Sequence, residues 1–401
     1  MKRTAPALEA ALSQLETAQL RRVRTTVEAF REGRARRVTG GRELVDFSSN
    51  DYLGLARHPG LAQAMSACAA HAGAGSGASH LISGHGTEHA LLEEELAAFT
   101  GRERALLFST GYMANLAVIA ALAGRGERVL LDRLCHASLI DGARLSGARL
   151  VRYRHADADS AAALLGEDAA HTALMATDGV FSMDGDLAPL PQLARIAQAQ
   201  GVWLVVDDAH GLGVVGTTGR GVLEHFGLTS EAAPVLVGTL GKAFGSFGAF
   251  VAGEADLIEF LVQKARTYIY TTALPQPVAA ATRAALALAQ TESWRRERVA
   301  ALTARFRSGA LAAGVPLGAS LTPIQPVVLG SAAAALAASR QLREAGLWVV
   351  AIRPPTVPAG SARLRITLSA MHTEAQVDAL VAELAAICAS AADSPLRAAQ
   401  T

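Results

Sequence analysis

The chain has 401 residues, of which 51% are hydrophobic and 18% charged, so it can bury a large core and is not a disordered protein. Its 37 basic and 36 acidic residues give a net charge of +1, which excludes bulk electrostatic binding to nucleic acid or anionic membranes. Cys68, Cys135 and Cys388 are too few and too scattered for a disulfide framework or a cysteine-rich zinc site. No apolar run approaches the roughly 20 residues of a membrane span and no secretory signal is recognised, so we expect a cytoplasmic protein.

The N-terminal region is predicted to be an arm that leads into a short strand. Leucines at helical spacing predict an amphipathic helix within residues 5–30. A basic, glycine-containing loop at 33–41 separates this arm from a strand at 43–47. We assign residues 1–55 to this segment.

The long central region, residues 56–285, alternates short apolar runs with longer helical patterns. This alternation predicts a large α/β domain with a mostly parallel sheet. The predicted strands are 105–108, 129–131, 150–153, 173–176, 202–206, 234–238 and 249–251. The clearest predicted helices are 91–99, 113–123 and 191–200.

The C-terminal region, residues 286–401, is predicted to be a small α+β domain. A long helical region at about 275–312 leads into it. Its predicted strands are 324–329, 348–352 and 363–368. Its predicted helices are 332–346 and 373–390.

Two glycine-rich segments invite a nucleotide site but do not fit the motifs. The glycines within residues 211–216 match G-x-G-x-x-G after a strand, yet no helix begins there, as the dinucleotide fingerprint requires. Residues 238–242 resemble a Walker loop, but Leu236 replaces its first glycine and Ala243 stands where a magnesium-binding hydroxyl belongs. Neither segment is therefore predicted to bind a nucleotide.

Residues 109–115 are better placed to bind an anion. They follow the predicted strand 105–108 and begin the predicted helix 113–123. Backbone N–H groups at such a helix start bind phosphate, and Gly111 lets the backbone approach it closely. An ordinary capped turn is the alternative interpretation of the same residues.

Charged residues follow two buried strands. Asp207 and Asp208 come directly after the apolar run 202–206, and Lys242 follows the strand 234–238 among small residues. The carboxyl ends of parallel strands are where ligands bind in α/β sheets. Pyridoxal phosphate needs a lysine that forms a Schiff base and an aspartate that keeps the ring nitrogen protonated. If its phosphate binds at the helix start near Gly111, pyridoxal phosphate explains the lysine, the aspartate and this helix start together. The alternative for the aspartates is an Asx cap of the following turn.

Histidines allow two further interpretations. His136 also follows the end of a predicted strand. A ring that stacks on the cofactor and an ordinary core histidine are equally good interpretations of this residue. His85 and His89 stand at i,i+4 spacing, but neither an H-E-x-x-H motif nor a cysteine accompanies them. No metal site is therefore predicted.

Five segments together resemble the α-oxoamine synthases, which are pyridoxal-phosphate enzymes of the aspartate aminotransferase fold, fold type I. The resemblance covers nearly the whole chain. The matching segments are Ser-Ser-Asn-Asp-Tyr-Leu-Gly-Leu at 48–55, Gly-Val-Phe-Ser-Met-Asp-Gly-Asp at 179–186, Asp-Asp-Ala-His-Gly at 207–211, Gly-Thr-Leu-Gly-Lys-Ala-Phe-Gly at 238–245 and Ala-Ile-Arg-Pro-Pro-Thr-Val-Pro at 351–358.

The resemblance implies a role for each motif residue. Lys242 matches the Schiff-base lysine, Asp207 the partner of the pyridinium nitrogen, and His136 the catalytic histidine that stacks on the ring and contacts substrate. His210 is implied to reach the phenolic oxygen of the cofactor. The remaining implied cofactor contacts are Gly111, Tyr112, Ser182 and Thr239. The remaining implied substrate contacts are Arg21, Asn50, Thr356 and Arg365. Arg22 and Arg24 are alternatives to Arg21 for the contact with the acyl substrate, and Arg365 is implied to bind the amino-acid carboxylate.

The resemblance also implies the reaction. The segments at 207–211 and 351–358 favour the members that condense L-alanine with pimeloyl-CoA or pimeloyl carrier protein, releasing carbon dioxide, in biotin biosynthesis. Glycine-using relatives such as 2-amino-3-ketobutyrate CoA ligase or 5-aminolevulinate synthase, and a serine palmitoyltransferase-like enzyme, remain alternatives. A non-catalytic subunit is a further alternative, although Lys242, Asp207 and His136 are all present. Family members are homodimers, so a homodimer is expected, with the loop 83–87 completing the site and small molecules as substrates.

Three residues depart from the family pattern. Asp178 stands where glutamate is common, Cys135 where serine is common, and His80 where glycine or arginine is common. None has a named catalytic role, so they bear on substrate preference and leave the reaction class unchanged.

Overall fold

The computed structural model describes residues 5–31, 34–37 and 43–392. It divides into two compact units. The large unit comprises Asp51–Ser182 and Asp186–Glu297. The small unit comprises the described residues of Met1–Asn50, Met183–Gly185 and Arg298–Thr401.

The helices and strands are numbered in chain order. The helices are α1 (Ala5–Thr17), α2 (Pro59–Ala72), α3 (Thr87–Thr100), α4 (Gly111–Leu122), α5 (Ala137–Ser146), α6 (Ala158–Glu167), α7 (Leu190–Ala199), α8 (Val222–His225), α9 (Ala255–Lys264), α10 (Arg266–Ile269), α11 (Gln276–Thr291), α12 (Trp294–Ala312), α13 (Ala332–Glu344) and α14 (Glu374–Ala392). The strands are β1 (Val27–Arg31), β2 (Arg34–Arg37), β3 (Glu43–Asp46), β4 (Arg104–Phe108), β5 (Arg128–Asp132), β6 (Arg149–Tyr153), β7 (Thr172–Asp178), β8 (Trp203–Asp207), β9 (Val235–Thr239), β10 (Ala249–Gly253), β11 (Ile324–Gly330), β12 (Leu347–Trp348), β13 (Val350–Ile352) and β14 (Ala362–Thr367). A π-helical turn spans His80–Gly84 and a 3-10 turn spans Ala169–His171.

The described residues of the large unit form one seven-stranded sheet in the order β4-β10-β9-β8-β7-β5-β6. Only β10 runs antiparallel to its neighbours β4 and β9, and the pairings from β9 to β6 are parallel. Leu204, Val205 and Val206 of β8 are fully buried, which agrees with the continuous apolar run of a strand covered on both faces. The predicted α/β class with a mostly parallel sheet is confirmed.

Close packing of α5 against α4 fixes the geometry near the strand ends. Val118 and Ile119 of α4 and Leu139 of α5 are fully buried. Gly142 makes the approach possible, because a Cβ atom there would lie 2.9 Å from Cβ of Ile119. The polar residues that begin α5 and those on the first turns of α4 are therefore held in place by the apolar core.

The small unit contains two sheets among its described residues. One has the order β11-β14-β13 with antiparallel pairings, and the other has the order β1-β2-β3-β12. Phe306, Leu364 and Leu380, from α12, β14 and α14, are fully buried in its core. This arrangement agrees with the predicted α+β character.

The N-terminal segment differs from the prediction. The helix ends at Thr17, and β1 forms where the helical arm was expected to continue. Thr25, Thr26 and Val27 are β-branched, which favours a strand over a helix at this point. The predicted loop 33–41 contains β2, which pairs with β1 and β3, while residues 33 and 38–41 lie outside the described residues.

Two other predicted elements are each divided in the structure. The helical region 275–312 is interrupted after Thr291, so α11 and α12 are separate helices. The strand predicted at 348–352 changes sheets, since β12 pairs with β3 and β13 pairs with β14. A pattern of apolar residues shows that a segment is buried but does not show which neighbour it pairs with.

His155 links two acidic side chains of the large unit. Its Nδ1 lies 3.1 Å from Oδ1 of Asp132, and its Nε2 lies 3.0 Å from Oδ2 of Asp186. Burial disfavours the charged ring, but these two contacts outweigh burial and raise the pKa of His155 to about 10. Because this value exceeds the ordinary pKa of 6.5, the stabilisation is fully present below pH 6.5 and is lost as the pH rises toward 10.

We expect His155→Gln to lower the free energy of unfolding by about 1–2 kcal/mol at pH 6, because two charge-assisted contacts are lost, one with the buried Asp132 and one with the half-buried Asp186. The difference in the free energy of unfolding between the variant and the wild type should become smaller between pH 7 and pH 10. Urea unfolding at several pH values measures this difference. His225→Gln is the matched control, because His225 is exposed on α8. An effect of His155→Gln that does not change with pH would contradict this assignment.

Candidate active site

A cavity of about 190 Å³ lies in the large unit at the carboxyl ends of neighbouring strands. Asp178, Asp207 and Thr239 are the last residues of β7, β8 and β9, which run parallel and therefore end at the same edge of the sheet. The cavity is lined by Gly111, Tyr112, Asn115, His136, Asp178, Val180, Ser182, Asp207, Ala209, His210, Thr239 and Lys242. Every residue that the resemblance assigns to the cofactor is in this lining.

The start of α4 forms one wall of the cavity. The helix begins at Gly111, and Oγ1 of Thr110 accepts a hydrogen bond from the Met113 backbone at 3.2 Å. The segment is thus a capped helix start, and Gly111 and Tyr112 also line the cavity, while anion binding at this point stays a prediction. The first N–H groups of a helix have no partner within the helix, so this wall can bind an anion.

A chain of hydrogen bonds connects Asp207 with His136. Nδ2 of Asn115 donates to Oδ2 of Asp207 at 2.6 Å and to Oγ of Ser138 at 2.8 Å. The Ser138 hydroxyl lies 2.6 Å from Nδ1 of His136. The backbone N–H of Ala209 donates to the other carboxylate oxygen of Asp207 at 3.0 Å. Both carboxylate oxygens of Asp207 are thereby oriented before any ligand binds.

His136 is held as a neutral ring. Burial lowers the pKa of His136 below its ordinary value, with Asp207 opposing this effect and Lys242 adding to it. The Ser138 backbone N–H also points to Nδ1 of His136, at 3.3 Å. Since Nδ1 accepts hydrogen bonds, the network assigns the proton of the neutral ring to Nε2. The ring can therefore donate from Nε2 to a carbonyl oxygen.

Asp178 supports the position of His136. Its Oδ1 accepts the His136 backbone N–H at 3.0 Å, and it lies directly opposite Asp207 in the parallel pairing of β7 and β8. Burial and the nearby Asp207 carboxylate raise the pKa of Asp178 well above its usual range. The departure from the family pattern at residue 178 thus falls on a residue that lines the site.

Lys242 reaches into the cavity next to His210. Its Nζ lies 2.9 Å from Nε2 of His210, and Nδ1 of His210 lies 2.7 Å from the hydroxyl of Tyr52. Tyr52 is fully buried, so it fixes the His210 ring, which in turn faces the lysine amine. The amine can therefore pass a proton to or receive one from a held imidazole.

The chemistry of these side chains fits pyridoxal phosphate. One cavity brings together an amine on Lys242, an oriented carboxylate on Asp207 and a helix start at Gly111. Oδ1 of Asn115 is buried and has no hydrogen-bond partner among the described residues, so the site retains a polar group that a ligand can satisfy. These are the groups that the aldehyde, the ring nitrogen and the phosphate of the cofactor require.

Sequence reasoning missed Asn115, and it did not assign a role to Tyr52. Asn115 lies one helical turn after Gly111 and is a polar residue in an apolar helix, which is the signal that could have identified it. Tyr52 belongs to the quoted motif 48–55, but its contact with His210 joins residues far apart in the sequence. Only the folded structure shows that contact.

The predicted substrate contacts lie in the small unit. Nη1 of Arg365 donates to Oδ1 of Asn50 at 3.0 Å, so the structure brings these two residues together. Thr356 accepts a hydrogen bond at 3.2 Å from Arg22, the neighbour of Arg21. Arg21 itself forms an ion pair with Glu16 at 2.6 Å. These contacts leave the roles of Arg21, Asn50, Thr356 and Arg365 as predictions.

Three histidines of the large unit form a separate cluster. The ring nitrogens of His80, His85 and His89 lie within 4.8 Å of one another. His89 uses both of its nitrogens, since Nδ1 accepts from the Gly86 backbone at 2.9 Å and Nε2 contacts the Leu274 carbonyl. An ion bound by all three rings would have to break one of these contacts.

None of the helices in the described part of the chain is long and apolar enough to cross a membrane.

The fold and the site define a class of enzyme. The sequence matches the family described as aminotransferase class I and II over residues 42–384. The chain therefore belongs to this family, with the fold of type I pyridoxal-phosphate enzymes, and pyridoxal phosphate is its cofactor.

Individual relatives define a narrower group. The 8-amino-7-oxononanoate synthase of Methylococcus capsulatus is 60% identical over 375 residues, which span 94% of this chain and 96% of that protein. The structure of 8-amino-7-oxononanoate synthase from Francisella tularensis is 32% identical, with a TM-score of 0.77 over 87% of this chain and 99% of that one. A variant of serine palmitoyltransferase from S. paucimobilis, solved with a bound PLP–myriocin aldimine, is 31% identical, with a TM-score of 0.90 over 96% of this chain and 98% of that one. The resemblance to the α-oxoamine synthases is confirmed.

Proposed function

We propose that the protein condenses L-alanine with a pimeloyl thioester and releases carbon dioxide, the reaction of an 8-amino-7-oxononanoate synthase in biotin biosynthesis. The observation that carries this proposal is the near full-length identity of 60% with a relative of that name. The cavity supports it, because Lys242, Asp207 and His136 face one space. Serine palmitoyltransferase shares the fold at 31% identity, which is too distant to favour serine as the substrate.

Pyridoxal phosphate, when bound, supplies an aldehyde for amino groups and a ring that accepts the electron pair left by proton removal. The start of α4 would bind its phosphate, and Asp207 would keep its ring nitrogen protonated. Lys242 would hold the aldehyde until alanine displaces it, after which its amine removes the α-proton of alanine. The contact with His210 positions Nζ of Lys242 for this transfer.

His136 is proposed to act on the acyl substrate. Its neutral ring carries the proton on Nε2, so it can donate a hydrogen bond to the thioester carbonyl as the carbon nucleophile attacks. The thiol then leaves, and loss of carbon dioxide from the resulting β-keto acid gives the product. The Asn115–Ser138 chain prevents the ring from turning away during this step.

Arg365 is proposed to bind the alanine carboxylate. The guanidinium fork matches a carboxylate, and Asn50 holds it at 3.0 Å. We expect Arg365→Lys to raise the dissociation constant for alanine about tenfold or more, because the charge remains but the fork is lost. The affinity for pimeloyl-CoA should hardly change. Spectral titration with alanine and a separate titration with the thioester measure the two affinities.

The opposite outcome of these titrations would reassign the residue. If Arg365→Lys weakens thioester binding and leaves alanine binding intact, Arg365 belongs to the acyl pocket and Arg353 becomes the candidate for the carboxylate.

The reaction itself is tested by product mass. Purified holoenzyme with L-alanine and pimeloyl-CoA should yield 8-amino-7-oxononanoate, and the same assay with pimeloyl carrier protein compares the two acyl donors. Parallel assays replace alanine with glycine, and replace both substrates with serine and palmitoyl-CoA. Product formed only in one of these replacement assays would overturn the proposal.

We also propose that the protein is a homodimer. Leu81 and Ile82 lie on the π-helical turn and are 48% and 81% exposed, which supports an apolar contact surface beside the loop 83–87. Ile82→Asp is expected to weaken dimerisation about tenfold or more, because a charge would enter the contact. Sedimentation velocity over a range of concentrations measures this change. Leu311→Asp, at an exposed leucine of α12, is the control and should sediment like the wild type.

A further inference from the structure

One buried amide joins the two ends of the hydrogen-bonded chain in the cavity. Nδ2 of Asn115, on α4, donates one hydrogen to Asp207 at 2.6 Å and the other to Ser138 at 2.8 Å. The Ser138 hydroxyl lies 2.6 Å from Nδ1 of His136. All four residues belong to the large unit. The chain therefore links the carboxylate proposed to act on the ring nitrogen of the cofactor with the imidazole proposed to act on the thioester.

The charge of Asp207 sets the orientation of this amide. Oδ1 of Asn115 is buried and has no hydrogen-bond partner among the described residues. An unpaired buried acceptor is unfavourable, so the two donated hydrogen bonds must hold the amide in its observed orientation. The reversed orientation would place Oδ1 against a carboxylate oxygen of Asp207, and two acceptors repel each other. An ionised Asp207 therefore selects the donor side of the amide.

The direction of the remaining hydrogen bonds follows from the orientation of the amide. Because the oxygen of Ser138 accepts from Asn115, its single hydrogen is available to Nδ1 of His136. The reversed amide would instead attract this hydrogen to its own Oδ1. Nδ1 would then keep only the longer contact of 3.3 Å with the Ser138 backbone N–H. The charge of Asp207 thus reaches His136 through two uncharged side chains.

The packing of two helices holds the chain of hydrogen bonds in place. Asn115 and Ser138 are buried, and so is Val118, one turn further along α4. One turn after Ser138, a Cβ atom at Gly142 would lie 3.3 Å from the Asn115 carbonyl oxygen, so α5 approaches α4 closely at this point. This close approach brings the serine hydroxyl within reach of the amide. The arrangement suits a fixed relay better than an adjustable surface contact.

We propose that Asn115 is a positioning residue that couples the ionised carboxylate of Asp207 to the acceptor nitrogen Nδ1 of His136, with Ser138 as the link. The coupling keeps the proton of the neutral His136 ring on Nε2 while Asp207 carries its charge. The groups for proton removal and for acyl transfer are thereby prepared together. This inference rests on the proposed function, because it assigns the two ends of the chain to those two steps.

The coupling is tested first without substrates. NMR compares the holoenzyme, with 15N-labelled histidine rings, with its Asn115→Ala and Ser138→Ala variants, and the His136 signals are identified by their loss in His136→Asn. In the wild type, the Nδ1 signal should be displaced from that of an unbonded imidazole nitrogen, because Nδ1 accepts a hydrogen bond. Both variants should move it back, the serine variant further. An Nδ1 signal that is the same in Asn115→Ala and the wild type would overturn the coupling.

Two rate measurements then separate the two ends of the chain. Exchange of the alanine α-proton without thioester reports on Asp207, whereas product formation with pimeloyl-CoA also requires His136. Asn115→Ala should slow both by about tenfold or more, because each end loses a hydrogen bond. Ser138→Ala should slow product formation by a similar factor and leave the exchange near the wild-type rate.

Ser146→Ala is the matched control for the serine variant. Ser146 lies at the other end of α5, and its hydroxyl donates to the Ala143 carbonyl at 2.8 Å. This variant should keep both rates. A purely structural role of the chain would give another pattern: if Ser138→Ala slows both rates equally, or if Asn115→Ala leaves the exchange at the wild-type rate, the coupling is wrong.

A second serine variant keeps the test decisive if Asn115→Ala fails to fold, as judged by circular dichroism. The thiol of Ser138→Cys is a weaker donor than the hydroxyl, so its Nδ1 signal and its rate of product formation should lie between those of the wild type and Ser138→Ala. Values outside this order would overturn the coupling.

Failure of the proposed reaction is a separate result. If the wild type forms no product from alanine and any pimeloyl thioester, the proposed reaction is wrong. The NMR comparison still decides whether Asn115 couples Asp207 to His136, because it needs neither substrate.

Discussion

Lys242→Ala is expected to lower the turnover number by a factor of about 1,000 or more while the fold is retained. A positioned base that moves a proton contributes about 100- to 10,000-fold to the rate, and Lys242 would also be the attachment point of the cofactor. The substitution removes the amine that faces His210 at 2.9 Å. Circular dichroism checks the fold, and the rate of product formation from alanine and pimeloyl-CoA measures the loss.

Chemical labelling tests the same assignment independently of activity. The chain has only three lysines, Lys2, Lys242 and Lys264, so borohydride reduction of the holoenzyme followed by peptide mapping has few possible outcomes. The cofactor should be found on Lys242. Lys264→Ala is the matched control, because Lys264 is exposed at the end of α9, and it should keep both labelling and activity. Cofactor found on either other lysine would refute the role of Lys242.

The sequence alone predicts the residues that line the cavity at the carboxyl ends of the strands. Asp207 follows a run of buried apolar residues, and Lys242 follows the next strand, so their positions depend on local patterns. The rule that parallel strands end at one edge of the sheet then places them together. Gly111 was predictable for the same reason, since a strand and a helix flank it.

The remaining features depend on contacts between distant segments. Tyr52 meets His210 across 158 positions of the sequence, and Arg365 meets Asn50 across 315. No local pattern encodes such pairs. The strands β1 and β2 are a further case, because they pair with each other where a helical arm and a loop were predicted, and β2 also pairs with β3. Pairing of β1 with β2 therefore outweighs the helical spacing of leucines that predicts a longer helix within residues 5–30.

Asp207→Asn is expected to leave the cofactor bound and to slow removal of the alanine α-proton by about 100-fold or more, equivalent to about 3 kcal/mol in the barrier. An amide cannot keep the ring nitrogen protonated as a carboxylate does, so the ring would accept electrons poorly. The amide of Asn115 and the backbone N–H of Ala209 each donate to a different carboxylate oxygen of Asp207, and asparagine has only one acceptor oxygen, so one of these two contacts is lost. The change therefore removes the negative charge together with one of the two contacts that orient the side chain.

NMR is used to follow the exchange of the alanine α-proton with deuterated solvent. The thioester is left out, so that proton removal is measured separately from acyl transfer. Asp208→Asn is the matched control, since burial raises the pKa of Asp208 well above its usual range and the protonated acid resembles an amide in shape and charge. The control should exchange at nearly the wild-type rate, although it alters a hydrogen bond from the Val222 backbone. If the Asp207→Asn variant exchanges the alanine α-proton at the normal rate and the Asp208→Asn variant does not, Asp208 is the carboxylate that acts on the ring nitrogen. The contact of Asn115 with Asp207 would then be only structural.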